Sequence, residues 1–157
     1  MKFIRFISIR ELEALLEDGK IKPIKGNREC LYFFPAEGEE SSVHGTVYHS
    51  VSYRFEYVSG IVAEISSDDA RRCIVLNLEM DEDKLKPDVL TYADPEGSFW
   101  DTIGVLEYHK KDGYKISDVV SVDIYKQPPF SFGLVEEKHF DDLKECYEWI
   151  SSMGLHD

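Results

Sequence analysis

Three residues of this chain have types and settings that could do chemistry together. They are Arg5 in a short apolar stretch, Tyr32 in an aromatic one, and Glu107 ahead of Tyr108. An arginine is a planar cationic fork for an anionic group, a tyrosine ring is a stacking platform, and a carboxylate stabilises positive charge developing beside it. Such a set works only if the fold brings the three to one cleft. Otherwise Arg5 pairs with one of the chain's many carboxylates at a strand edge, Tyr32 belongs to the core, and Glu107 faces solvent.

Other chemistries lack their residues. There is no glycine loop to cradle phosphate, no Gly-x-Ser-x-Gly elbow and no helix with paired histidines. Asp81, Glu82 and Asp83 lack the alternating oxygen ligands and the glycine of a calcium loop, and read as a solvated charge run. His44, His49, His109, His139 and His156 include no pair four apart on a clear helix, so no metal ligands are assigned. Cys30, Cys73 and Cys146 are odd in number, widely spaced and set among apolar neighbours, which points to reduced, buried thiols and a cytoplasmic location. Of these, only Cys73, which follows Arg71 and Arg72, approaches the basic setting of a reactive thiol.

The formal charge of -13 argues against direct nucleic-acid binding, which needs clustered Lys and Arg, and against an anionic membrane surface. Two readings remain: an acidic surface that maintains solubility, or an acidic face that takes a basic protein partner. Under the second, the candidate contacts are Glu37, Glu39 and Glu40, with Asp81, Glu82 and Asp83. No cofactor is called for, and oligomeric state is not legible.

The elements that must position these residues follow from periodicity and punctuation. Phe3–Phe6 reads as a strand. Ser8 and Glu11 form a capping box, Ile9, Leu12, Leu15 and Leu16 share a helical face, and Gly19 is a C-terminal stop. Lys20–Arg28 is a basic connector, and Cys30–Phe34, ended by Pro35, is a buried strand. Between His44 and Ile65 helical and alternating patterns compete; a short helix ending at Ser59-Gly60 and a strand over Ile61–Ile65 are expected, with a turn at 66–69. Cys73–Leu78 is a strand, Met80–Asp88 a charged loop, Val89–Tyr92 a short strand, and Phe99–His109 a long one. Lys110–Gly113 turns the chain, Val119–Tyr125 alternates as a half-solvated strand, and Phe140, Leu143, Tyr147 and Ile150 line a closing helix. The whole predicts one α+β domain over residues 1–157, with a mixed, mostly antiparallel sheet of about six strands, an N-terminal capped helix and a C-terminal helix. Phe6, Leu12, Leu15, Leu31, Phe33, Ile74, Leu76, Leu106, Val120, Val122 and Leu143 are its expected core.

The order of an Arg-bearing strand, a capped helix ending in Gly, and a late strand ending in Glu resembles the plan of small ADP-ribosyltransferase-like domains. The resemblance covers mainly Phe3–Phe34 and Gly104–Tyr125. It implies that Arg5 holds a nicotinamide dinucleotide (NAD), that Tyr32 packs on its rings, and that Glu107 stabilises an oxocarbenium-like transition state. The chain departs from that pattern in having Ser50-Val51-Ser52 for a Ser-Thr-Ser triplet and Val105 two residues before Glu107. A second likeness runs through Tyr57-Val58-Ser59-Gly60-Ile61-Val62, Tyr92-Ala93-Asp94-Pro95, and Glu107-Tyr108 followed by Ser117-Asp118. These segments are similar to uncharacterised proteins of bacterial phages and mobile elements. That likeness implies a setting in which small acidic proteins block host or defence proteins by binding them. The leading expectation is therefore a non-catalytic acidic interaction protein, with an NAD-using transferase as the alternative.

Overall fold

The run Phe3-Ile4-Arg5-Phe6-Ile7 puts apolar side chains on both faces of a strand, as a central strand requires. It forms β1 (Lys2–Ile7), in the middle of the sheet. The computed structural model describes residues 1–23, 31–36, 65–67, 70–93, 102–127 and 135–155. Helix α1 (Ile9–Asp18) starts where the capping signal places it: the Ser8 hydroxyl accepts from the Glu11 amide, and Gly19 ends the helix at φ 73°. A left-handed terminator of this kind is cheap only for glycine. The other half of the capping box is replaced, because the Glu11 carboxylate turns to Arg5 and Tyr114 instead of back to Ser8.

The remaining strands and helix among the described residues are β2 (Lys20–Ile21), β3 (Leu31–Pro35), β4 (Ile65–Ser67), β5 (Ala70–Glu79), β6 (Lys86–Ala93), β7 (Thr102–Lys110), β8 (Tyr114–Lys115), β9 (Val119–Gln127), β10 (Val135–Phe140) and α2 (Leu143–Ser152). The sheet runs β10-β9-β5-β1-β3-β7-β6, with β4 attached to β5, while β2 and β8 form a separate pair. Every pairing is antiparallel. The fold is thus the expected α+β, with more strands than expected.

Both described α-helices lie on one face of the sheet. Phe3, Ile7, Phe33, Ile74, Leu76, Leu78, Val122 and Ile124 form one buried cluster with Ile9, Leu12 and Leu15 of α1 and Leu143, Cys146 and Ile150 of α2. On the opposite face Ile4, Phe6, Phe34 and Val75 are also buried, and Phe6 meets Phe34 edge-on at 5.7 Å. Among the described residues no helix is long and apolar enough to cross a membrane.

Several expectations need correction. Met80–Asp88 is not all loop: β6 begins at Lys86 and contains Pro87, which an edge strand tolerates because one side of its backbone needs no ladder donor. The chain is already extended at Ile65–Ser67, where a turn was expected from Ser66. Val120 is 57% exposed rather than core. The ladder to β5 shifts register there, pairing Asn77 with Ser121 but Leu78 with Val119, so the bulge turns Val119 inward in place of Val120. Phe140 ends a strand rather than opening the last helix. Leu31 is only partly buried. The expected helix and strand within 44–64 fall outside the described residues.

Candidate functional site

Strand alternation puts Arg5 on the helix side of β1, between Phe3 and Ile7. A guanidinium there must find a carboxylate, since an unpaired charge so placed costs several kcal/mol. Because α1 starts two residues after β1, its first turn returns Glu11 over the strand. Arg5 Nε and Nη2 donate to the two Glu11 oxygens at 2.9 and 2.8 Å, and the Tyr114 hydroxyl donates to the same carboxylate at 2.7 Å. The guanidinium also lies over the rings of Phe33 and Tyr114, 5.6 and 5.8 Å from their centroids. Burial, the largest single influence, lowers the Arg5 pKa, but the bond and charge of Glu11 together with Tyr114 more than offset it and the net shift is upward. Burial, then the Glu11 charge, raises the Tyr114 hydroxyl well above the usual phenol. This cation is bound from within the fold.

The other residues of the proposed catalytic set sit elsewhere. Tyr32 pairs with His109 and Glu107 with Asp88, on β3 and β7. Both positions alternate with Phe33 and Tyr108, which pair with each other and belong to the helix-side cluster that Arg5 joins. The register therefore brings Arg5 to Glu11 and Tyr114, and does not bring it together with the positions of Tyr32 and Glu107. Glu37, Glu39 and Glu40 lie outside the described residues. Asp81, Glu82 and Asp83 are exposed on a single 3-10 turn, where Asp81 Oδ1 caps the amide of Asp83 at 3.0 Å.

Two polar groups at the β5-β9-β10 edge escaped the sequence reading. Arg72, 2% exposed, is held by Glu137 through bonds of 2.7 and 3.1 Å, with Lys126 3.2 Å from the same carboxylate. Bonding from Arg72 holds the Glu137 carboxyl below the usual range, with Lys126 adding to it and burial opposing. On the other face Asn77 Nδ2 donates to Asp123 at 2.7 Å and to Ser121 at 3.0 Å. His139 meets Asp123 through Nδ1 and Asp141 through Nε2. Asp123, Glu136 and His139 are a possible metal-ligand set, with ligand atoms within 4.8 Å of one another. With a proton on each ring nitrogen, however, the imidazolium alone satisfies Asp123 and Asp141, and these bonds, Asp123's first, raise the His139 pKa. Burial pushes the thiols of Cys73 and Cys146 up to about 12, so neither is a nucleophile near neutral pH.

Exposed charge collects on the outer side of the helices. Glu13, Glu17 and Asp18 of α1, Asp141 and Asp142, and Glu145 and Glu148 of α2 are all exposed, against Arg10 and Lys144. The two helices touch each other over the common core, so these seven carboxylates and two cations belong to one layer. The alternation of apolar and acidic positions in both helices carries this signal in the sequence. Comparison with protein-family models, with curated proteins and with solved structures finds no match.

Proposed function

We propose that this chain is a non-catalytic interaction protein that binds and inhibits a basic partner, and that the acidic outer face of α1 and α2 is its principal contact. One observation carries the reading: the buried cations are bound by internal carboxylates, Arg5 by Glu11 and Arg72 by Glu137, while the helix layer keeps a surplus of exposed acid. Glu13, Glu17, Asp18, Glu145 and Glu148 have no ion-pair partner among the described residues. The partner is a nucleic-acid-binding protein of a host or its defences, the setting that the likeness to phage and mobile-element proteins implies, and the compartment is the cytoplasm, in keeping with reduced cysteines. Asp81, Glu82 and Asp83 contribute a second acidic point, as do Glu37, Glu39 and Glu40. Electrostatic steering then sets the association rate.

The test is capture from a bacterial lysate by immobilised wild type and by Glu145→Lys/Glu148→Lys. Wild type should retain a basic protein, with several-fold less retained on going from about 50 to about 150 mM salt, since exposed charges are screened over ~10 Å. The variant should slow association with that protein several-fold while keeping the wild-type unfolding midpoint. Equal capture by both proteins at both salt concentrations sinks the proposal.

A further inference from the structure

A cleft of about 1110 Å³ opens where β2, β8 and the turn after β5 meet, and its chemistry is opposite to that of the rest of the chain. Lys20, Lys22, Lys84, Lys110, Lys111 and Lys115 line it, against Asp81, Asp112 and Asp118. That leaves a formal surplus of three positive charges (six minus three) in a protein whose total is -13. Lys110 donates to the Gly113 carbonyl at 2.8 Å. The other five lysines have no ion-pair partner among the described residues, despite the abundance of carboxylates.

The β2–β8 pair sharpens the point. Its register sets Lys20 directly opposite Lys115 and Ile21 opposite Tyr114. Ile21 and Tyr114 turn to the core, so Lys20 and Lys115 share the outward face and both are exposed. Like charges directly across an antiparallel pair are destabilising, even with the Asp118 carboxylate accepting from the Lys115 amide at 2.9 Å, and a local rule broken in this way is characteristic of a binding site. The wall behind them is rigid. Gly113, at φ 75°, packs so closely on β2 that an added Cβ would come within 1.8 Å of the Ile21 carbonyl oxygen. The Ile116 amide donates to the Gly19 carbonyl at 2.9 Å, fixing the far side.

We infer that this cleft binds a compact polyanion carrying two or more phosphate groups, placed first between Lys20 and Lys115. Ammonium groups act as point charges for phosphate, and among the described residues no arginine fork lines the cleft to select a planar carboxylate. The ligand is read by charge rather than by a ring, because Tyr114, the one aromatic residue lining the cleft among those described, is 2% exposed with its hydroxyl tied to Glu11. It is compact because the concavity suits a small molecule, while the acidic surface beyond it repels an extended polyanion.

The experiment is titration calorimetry of the full chain with inorganic tripolyphosphate, orthophosphate and a single-stranded oligonucleotide. The proteins compared are wild type, Lys20→Gln/Lys115→Gln, and Lys144→Gln as a control outside the cleft. Tripolyphosphate should bind one to one, and the cleft variant should lose about tenfold or more in affinity, the scale of losing charge-assisted bonds, while Lys144→Gln loses none. Urea unfolding of the unliganded cleft variant should give a midpoint equal to or above wild type, because a like-charge pair has been removed. Orthophosphate should bind at least about tenfold more weakly than tripolyphosphate, for want of a second charged group to bridge the lysines. No tripolyphosphate binding at about millimolar concentration (a weak Kd on the affinity scale), or equal losses in the cleft and control variants, overturns the inference. So does tighter binding of the oligonucleotide than of tripolyphosphate at equal phosphate concentration.

Discussion

Replacing Glu11 by Gln keeps the shape of the side chain and removes its charge, leaving the Arg5 guanidinium without the carboxylate that holds it. Arg5 and Glu11 side chains are 12% and 17% exposed, so solvent can do little to screen or rehydrate the orphaned cation. Two charge-assisted bonds from Arg5 and one from Tyr114 are weakened at once. Breaking a buried pair from one side costs roughly 3–5 kcal/mol, and the lower end applies here because the guanidinium keeps its contacts with Phe33 and Tyr114. With a urea m-value of about 2 kcal/mol/M for a chain of this size, ~3 kcal/mol lowers the unfolding midpoint by about 1.5 M. Far-UV circular dichroism in urea reads this directly. The double variant Arg5→Met/Glu11→Gln removes the stranded charge as well and should recover most of the loss, since apolar replacement of a buried ion pair is often close to neutral. A Glu11→Gln midpoint within about 0.3 M of wild type (~0.6 kcal/mol at that m-value) would refute the structural role of Arg5. So would a double variant no better than the single, and either result would return the guanidinium to the list of groups available to a ligand.

Three further outcomes are expected. Ser8→Ala should cost about 1 kcal/mol in the same urea assay, because the Ser8 hydroxyl caps the Glu11 amide at 3.0 Å. The Arg72–Glu137 pair should make stability depend on pH: the Glu137 carboxyl is lowered in the fold, so its contribution is fully present above the unfolded carboxyl range near 4.3 and is lost as pH falls through the lower folded value. Wild type and Glu137→Gln should accordingly differ in midpoint at pH 7 and converge in acid; a gap that stays constant from pH 7 to 3 would contradict the assignment. In a Cys30→Ser background, an aromatic disulfide reagent should find no reactive thiol in the native protein at pH 8 and two in denaturant. Burial holds Cys73 and Cys146 protonated, so rapid native labelling of either would show that its part of the core opens.

The elements legible in the sequence are those whose signals are local and whose apolar residues are buried. Ser8 and Gly19 bracket α1 to the residue, and the apolar runs around Phe33 and Ile74 became the strands they resemble. The two ends of the sheet were read least well, and for one physical reason. An edge strand needs charge or proline to discourage pairing with another chain, so it does not show the apolar alternation that marks a strand. At one edge β10 carries Glu136, Glu137, Lys138 and His139 and shows no strand signal; at the other, Pro87 made the start of β6 look like a break. Charges were left open on similar grounds. The expected pairing of Arg5 with a carboxylate could not be assigned to a partner, because its partners come from other elements, Glu11 from the next helix and Tyr114 103 residues beyond Glu11. Lys20 was read only as part of a basic connector, because the β2–β8 register alone sets it opposite Lys115. Charge that matters in this protein is defined by pairing across the fold: it is neutral structure where a cation finds a carboxylate, as at Arg5 and Arg72, and, on the two proposed readings, binding capacity where like charges are held together, as around the lysine cleft and along the helix layer.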